Sequence, residues 1–150
     1  MFATRQARLA IEMRSRKVNK QTPPNMHWLG PRPYRQLPHY LKALDVCLVP
    51  FKQNAITMGA SPSTLYEYLA AGRAVVNTYV PDVQYFGDLV WQANTPREFG
   101  QAIGDTLLAA HDPVHQRRRI EAIQPHTWGA RAAQVHECIQ AHLSQRGTKK

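Results

Sequence analysis

The chain has 150 residues, of which 43% are hydrophobic and 11 are prolines, and its formal net charge at pH 7 is +9. This length and composition predict one globular domain with a buried core and exclude a disordered protein. No apolar run approaches the roughly 20 residues of a membrane-spanning helix, and residues 1–20 lack a signal-peptide core, so we expect a cytoplasmic protein.

The positive charge is concentrated at the two ends of the chain. Residues 1–20 contain six bases and one acid, residues 146–150 add three bases, and residues 21–145 contain ten bases and nine acids. We therefore predict a basic segment over 1–24, helical or disordered, and a basic tail over 146–150. Such tails attract any polyanion with little specificity, so solvated termini are the favoured interpretation, peripheral contact with the inner membrane face is the alternative, and nucleic acid is disfavoured as a partner.

Strand and helix patterns alternate from residue 25 onward, whereas residues 1–24 give no strand prediction. The short apolar runs at 25–30 and 45–51 predict buried strands, and Pro38 is predicted to begin the helix between them.

A second helix is predicted over 62–71. Ser61 is a suitable N-cap, Pro62 a suitable first residue, and Gly72 a suitable stop, after which the β-branched run 74–78 predicts a third strand.

The rest of the chain continues the alternation. We predict a strand over 88–93, a helix opened by a Thr95–Glu98 capping box, and a short helix over 117–123. A final helix begins near Thr127, with one apolar face formed by Ala132, Val135, Ile139 and Leu143. Apolar strands separated by helices predict an α/β fold with an open, Rossmann-like parallel sheet over 25–145. Four strands are few for this architecture.

Glu67 is the acid in the middle of the predicted helix 62–71. Its neighbours at helical spacing are small or hydroxylic: Ser63, Thr64, Ala70 and Ala71. Ligands of parallel sheets bind where strands end and helices begin, and a helix start with hydroxyl groups suits phosphate. A carboxylate one turn further on suits the diol of a ribose. The alternative is an ordinary helix cap with a solvated glutamate.

Other chemistries are not predicted by the sequence. His111 and His115 are four residues apart, but Pro113 lies between them and no acid completes a site, so we predict no metal. No P-loop, GxGxxG or nucleophilic triad is present, and the catalytic residues stay unknown. Cys47 and Cys138 are predicted to be buried, reduced thiols.

The run VPFKQNAITMGASPSTLYEYLAAGRAVVNTYVPDV resembles the C-terminal, donor-binding domain of GT-B-fold retaining glycosyltransferases of the large family 4, also called group 1. The EYLAAG block carries most of the resemblance. The flanking runs NMHWLG, YRQLPHYLKALDVCLVPF, TPREFGQAI and HTWGARAAQ are similar to the family's neighbouring elements, so the resemblance covers about residues 25–145.

The resemblance implies a nucleotide-diphosphate sugar, UDP- or GDP-linked, as the substrate, with no further cofactor. Glu67 matches the residue that holds the ribose of the donor. The remaining donor-binding candidates are Ser63 and Thr64 at the diphosphate, Gly59, Ala60 and Ser61 in the loop before them, and Gly30 and Arg32 near the base.

The sequence departs from the family pattern in three ways. Gly59 replaces a second glutamate, Thr64 replaces a lysine, and the family's N-terminal acceptor domain is absent. We therefore expect a truncated product, a fragment or one subunit of a split hexosyltransferase of polysaccharide biosynthesis, whose saccharide or lipid-linked acceptor binds through the missing domain. The alternative is a non-catalytic nucleotide-sugar-binding or scaffold module with basic tails that contact membranes or polyanions.

Overall fold

A computed structural model describes residues 9–11 and 29–147 of the chain. Its centre is a four-stranded, fully parallel sheet with strand order β1-β2-β3-β4. The strands are β1 (Leu9–Ile11), β2 (Val46–Val49), β3 (Ala74–Thr78) and β4 (Val90–Ala93). The α/β fold with an open parallel sheet, predicted from the alternating pattern, is confirmed.

Within the described residues, six α-helices accompany the sheet. They are α1 (Leu37–Lys42), α2 (Ala55–Met58), α3 (Ser63–Ala70), α4 (Pro96–Ala109), α5 (Pro113–Ile123) and α6 (Trp128–Gly147). Short 3-10 segments occur at Tyr34–Gln36, Pro81–Leu89 and Gln124–His126. No helix within the described residues is both long enough and apolar enough to cross a bilayer.

Strands β2 and β3 are buried on both faces, because alternate side chains enter two separate cores. Cys47 and Val75 point towards one core with Leu65 and Leu69 of α3. The opposite core is formed by Val46, Leu48, Ala74, Val76 and Ala93 with Ala102 and Ala110. The sheet is therefore covered by α3 on one side and by α4 on the other.

The first strand of the sheet differs from the prediction. No strand was predicted within 1–24, yet Leu9–Ile11 pairs in parallel with β2, with Leu9 opposite Val46. Three residues are too few to show a periodic pattern. Of the predicted strand 25–30, residues 25–28 lie outside the described residues, and Leu29 and Gly30 are not in a strand.

Several helix and strand boundaries also differ from the predicted ones. β4 begins at Val90, because two 3-10 turns, separated by a kink at Gly87 with φ +51°, extend to Leu89. α5 begins at Pro113, four residues before the predicted start, since the Asp112 carboxylate caps it by accepting a 2.8 Å hydrogen bond from the Val114 N–H. The predicted cap of α4 is present, with the Glu98 N–H donating to Thr95 Oγ1 at 3.2 Å.

The apolar face predicted for the final helix is not buried by any described residue. Val135, Ile139 and Leu143 are 60%, 52% and 56% exposed and line a shallow groove of about 550 Å³ along α6. Ala132 is exposed as well. Cys47 is buried as predicted, but the prediction for Cys138 was wrong, because this thiol is exposed on α6.

Candidate functional site

The loops that follow β2, β3 and β4 meet at one edge of the sheet. The Gln53 side-chain amide donates a 2.9 Å hydrogen bond to Asn94 Oδ1 and a 3.5 Å hydrogen bond to the Tyr79 carbonyl. These three residues each lie just beyond the carboxyl end of a different strand. This is the edge at which parallel α/β sheets bind ligands.

The loop after β2 is ordered by its own short helix, α2, where no helix was predicted. Asn54 Oδ1 accepts hydrogen bonds from the N–H groups of Ile56 and Thr57 at 2.9 and 3.0 Å. The Thr57 hydroxyl in turn accepts from the Asn54 N–H at 2.9 Å, which completes a capping box. α2 therefore fixes the position of the backbone that leads to Gly59.

Helix α3 begins at Ser63, and the predicted roles of Ser61 and Pro62 were wrong. Pro62 occupies the N-cap position, and no side chain caps the helix. The Ser61 hydroxyl instead donates a 2.5 Å hydrogen bond to Asp82 Oδ2, beyond the end of β3. The predicted stop is confirmed, since Gly72 has φ +69°, which favours glycine.

Asp82 is a functional candidate that was not predicted from the sequence. Its Oδ2 accepts hydrogen bonds from the Ser61 and Tyr66 hydroxyls, at 2.5 and 2.8 Å. The Tyr66 ring packs edge-on against Phe86, with 5.5 Å between centroids. Burial raises the pKa of Tyr66, so its hydroxyl remains a donor at neutral pH. The only sequence signal for Asp82 was its place shortly after a buried strand.

Asp82 lies beside a groove of about 570 Å³ that contains three of the predicted loop residues. Gly59 has an ordinary φ of −98°, and a Cβ built there would meet only the Ile56 carbonyl oxygen, at 3.8 Å. The groove is lined by Met58, Gly59, Ala60 and Ser61 on one side and by Pro81, Asp82, Gln84 and Tyr85 on the other.

Glu67 lies one turn along α3 and is half-buried. Its negative charge raises the pKa of Tyr34 above the ordinary value of 10.0, and the Tyr34 hydroxyl donates a hydrogen bond to its carboxylate. Tyr34 was not a predicted site residue. Tyr34 follows Arg32 by two residues. Its contact with Glu67 therefore connects the loop of Gly30 and Arg32 to α3.

The predicted site residues lie in three segments, namely α3, residues 59–61 before it, and the loop of Gly30 and Arg32. Ser63, Thr64 and Glu67 share α3, and Thr64 is half-buried whereas Ser63 is exposed. Gly30, with φ +66°, and Arg32 are exposed in the loop that leads to Tyr34. Within residues 29–145, no group of three His, Cys, Asp or Glu side chains is placed to hold a metal ion.

The contact between Tyr34 and Glu67 gives a prediction that requires no ligand. Replacing Glu67 by glutamine is expected to lower the pKa of Tyr34 towards 10.0, because the substitution removes the negative charge that disfavours the tyrosinate. The measurement is an alkaline titration followed by the NMR signal of the Tyr34 ring. The matched control, Glu121→Gln on the exposed surface of α5, should leave the titration unchanged. An identical curve for E67Q and wild type would contradict the contact.

Comparison with known proteins relates the chain to a glycosyltransferase. Over 126 residues it is 29% identical to a protein of Bacillus subtilis (strain 168) named "Putative teichuronic acid biosynthesis glycosyltransferase TuaH". The match covers 79% of this chain, and the chain spans only 32% of the length of that relative. No protein-family model matches the chain, and no solved structure matches it.

Proposed function

We propose that this chain is the donor-binding part of a retaining glycosyltransferase of the GT-B, family 4 type, and that it binds a UDP- or GDP-linked sugar. The observation that carries the proposal is the arrangement of α3 at the carboxyl edge of the sheet. The helix presents Ser63 and Thr64 in its first turn, Glu67 one turn further on, and a groove beside its start. The relationship to a glycosyltransferase supports it.

In this proposal the diphosphate binds at the start of α3. The start of this eight-residue helix carries the positive end of the helix dipole, which favours an anion there. The hydroxyls of Ser63 and Thr64 add donors. These groups also stabilise the charge that develops on the leaving diphosphate, which is the main electrostatic requirement of glycosyl transfer from such donors.

Glu67 orients the ribose by accepting hydrogen bonds from its two hydroxyls. A carboxylate has several acceptor positions, so it can exchange its bond with Tyr34 for bonds with a diol. The base then lies towards the loop of Gly30 and Arg32, the segment that Tyr34 connects to α3. No further cofactor or metal takes part, and this part of the enzyme contributes mainly position.

Acceptor binding is assigned to residues beyond these 150, since the curated relative is about three times as long. We propose a saccharide or lipid-linked acceptor and a role in polysaccharide biosynthesis. Reaction at the cytoplasmic membrane face would place the basic ends of the chain near anionic lipids, with which they interact favourably.

A second candidate function is a non-catalytic nucleotide-sugar-binding module. Gly59 and Thr64 favour it, because they stand where the resembled family has a glutamate and a lysine. A bound donor would then lack two charged contacts.

The donor-site proposal is tested by NMR titration of the chain with UDP, GDP and ADP. We expect saturable shifts with UDP or GDP, concentrated at the amides of Ser63, Thr64 and Glu67, because the diphosphate and the ribose contact the first two turns of α3. Weaker shifts with ADP are expected. A folded chain that shows no saturable shift with any of the three would contradict the proposal, whereas binding without transfer to added acceptors would favour the second candidate.

A further inference from the structure

The groove beside α3 is separate from the positions assigned to the ribose and the phosphates. It is formed by residues 58–61 on one side and by the segment after β3 on the other, and its volume of about 570 Å³ is that of a small-molecule site. Its walls meet through the hydrogen bond from Ser61 to Asp82. The groove is therefore already formed in the structure.

The order of residues along α3 determines what the groove can hold. Glu67 lies on the carboxyl-terminal side of Ser63 and Thr64, whereas the groove lies on their amino-terminal side. If the ribose is at Glu67 and the diphosphate at the first turn, the group on the distal phosphate points towards the groove. This step rests on the proposed donor site.

Asp82 contributes a carboxylate to the groove, and two hydrogen bonds hold this carboxylate in place. The Ser61 and Tyr66 hydroxyls both bond to Oδ2, and among residues 29–145 no hydrogen bond reaches Oδ1. Asp82 itself is half-buried and lines the groove. A fixed carboxylate with one oxygen available is a strong acceptor for ligand hydroxyls.

We propose that Asp82 binds the transferred sugar of the donor by accepting hydrogen bonds from its ring hydroxyls, and that it selects a neutral sugar over a sugar acid. Gly59, across the groove, contributes no side chain, so the sugar has room on that side. A uronic acid would bring a second carboxylate to Asp82, and like charges at short range repel. Asp82 thus supplies, from the segment after β3, a carboxylate that the loop lacks at position 59.

The experiment compares dissociation constants of UDP, UDP-glucose and UDP-glucuronate, or of GDP and GDP-mannose if GDP is the nucleotide bound. The proteins are wild type, Asp82→Asn and the control Asp105→Asn, whose carboxylate is exposed on α4. D82N is expected to weaken binding of the neutral nucleotide sugar about tenfold, as the loss of a charge-assisted hydrogen bond does, while its affinity for the free nucleotide changes less than about twofold. D105N should match wild type.

The outcomes separate this inference from the donor-site proposal. If D82N weakens UDP and UDP-glucose equally, Asp82 acts only by positioning the loop, and the inference is overturned. If the wild-type chain binds UDP-glucuronate as tightly as UDP-glucose, the inference is overturned without any variant. Absence of binding for every nucleotide overturns the donor site and this inference together, whereas binding of UDP alone overturns this inference and leaves the donor site intact.

Discussion

Replacing Glu67 by glutamine is expected to weaken binding of the preferred nucleoside diphosphate, UDP or GDP, about tenfold or more. The amide keeps the shape of the side chain but loses its charge, and charge-assisted hydrogen bonds contribute about 1.5–3 kcal/mol against about 0.5–1.5 kcal/mol for neutral ones. Glu67 is half-buried on α3, so solvent screens its bonds less than those of an exposed carboxylate.

Isothermal titration calorimetry with the nucleotide measures this effect directly. The control is Glu121→Gln, which makes the same chemical change on the exposed surface of α5 and should leave the affinity within about twofold of wild type, as surface substitutions usually do. Equal affinities for E67Q and wild type would mean that the ribose does not bind at Glu67. Equal losses in both variants would point to a general effect of net charge.

The second large effect concerns the packing that holds Glu67 in place. Leu69→Ala is expected to lower the free energy of unfolding by about 2–5 kcal/mol, because Leu69 is 0% exposed in the core between α3 and the sheet. Globular domains are stable by only about 5–15 kcal/mol, so the loss is a large fraction of the total. Glu67 lies two residues away on the same helix, and its position depends on this packing.

Urea denaturation followed by circular dichroism measures the loss. The matched control is Leu108→Ala on α4, whose side chain is 90% exposed and whose removal should change stability by less than about 0.5 kcal/mol. If the two alanine variants unfolded at the same urea concentration, Leu69 would not be part of the core.

The elements that local pattern determines were predictable from the sequence. β3 was predicted with its boundaries, since 74–78 is a β-branched run behind a glycine stop. The start of α4 followed from Thr95 and Pro96. β1 was missed because Leu9–Ile11 forms a strand only by pairing with β2, and such tertiary pairing leaves no local periodicity.

The candidate site was predictable only in part for the same reason. Glu67 was proposed as a site residue from its neighbours on one helix. The Tyr34 hydroxyl reaches Glu67 across 33 positions in the chain, and Asp82 reaches Ser61 across 21, so neither contact is visible in a local window. Ser61 was misassigned as an N-cap because its residue type suits that role equally well, and the competing acceptor lies far away in sequence.

The final helix, α6, shows a different limit of prediction from sequence. Its apolar spacing predicted the helix correctly, but periodicity gives a face and not what covers that face. In the described residues Val135, Ile139 and Leu143 remain exposed.

The backbone conformation of Gly59 determines which substitutions this loop can accept. Its backbone is one that any residue adopts, and a new Cβ would make only an ordinary contact with the Ile56 carbonyl. The capping box of α2 fixes the preceding turn without involving the glycine. One substitution could therefore place an acidic side chain at the rim of the groove without rebuilding the loop.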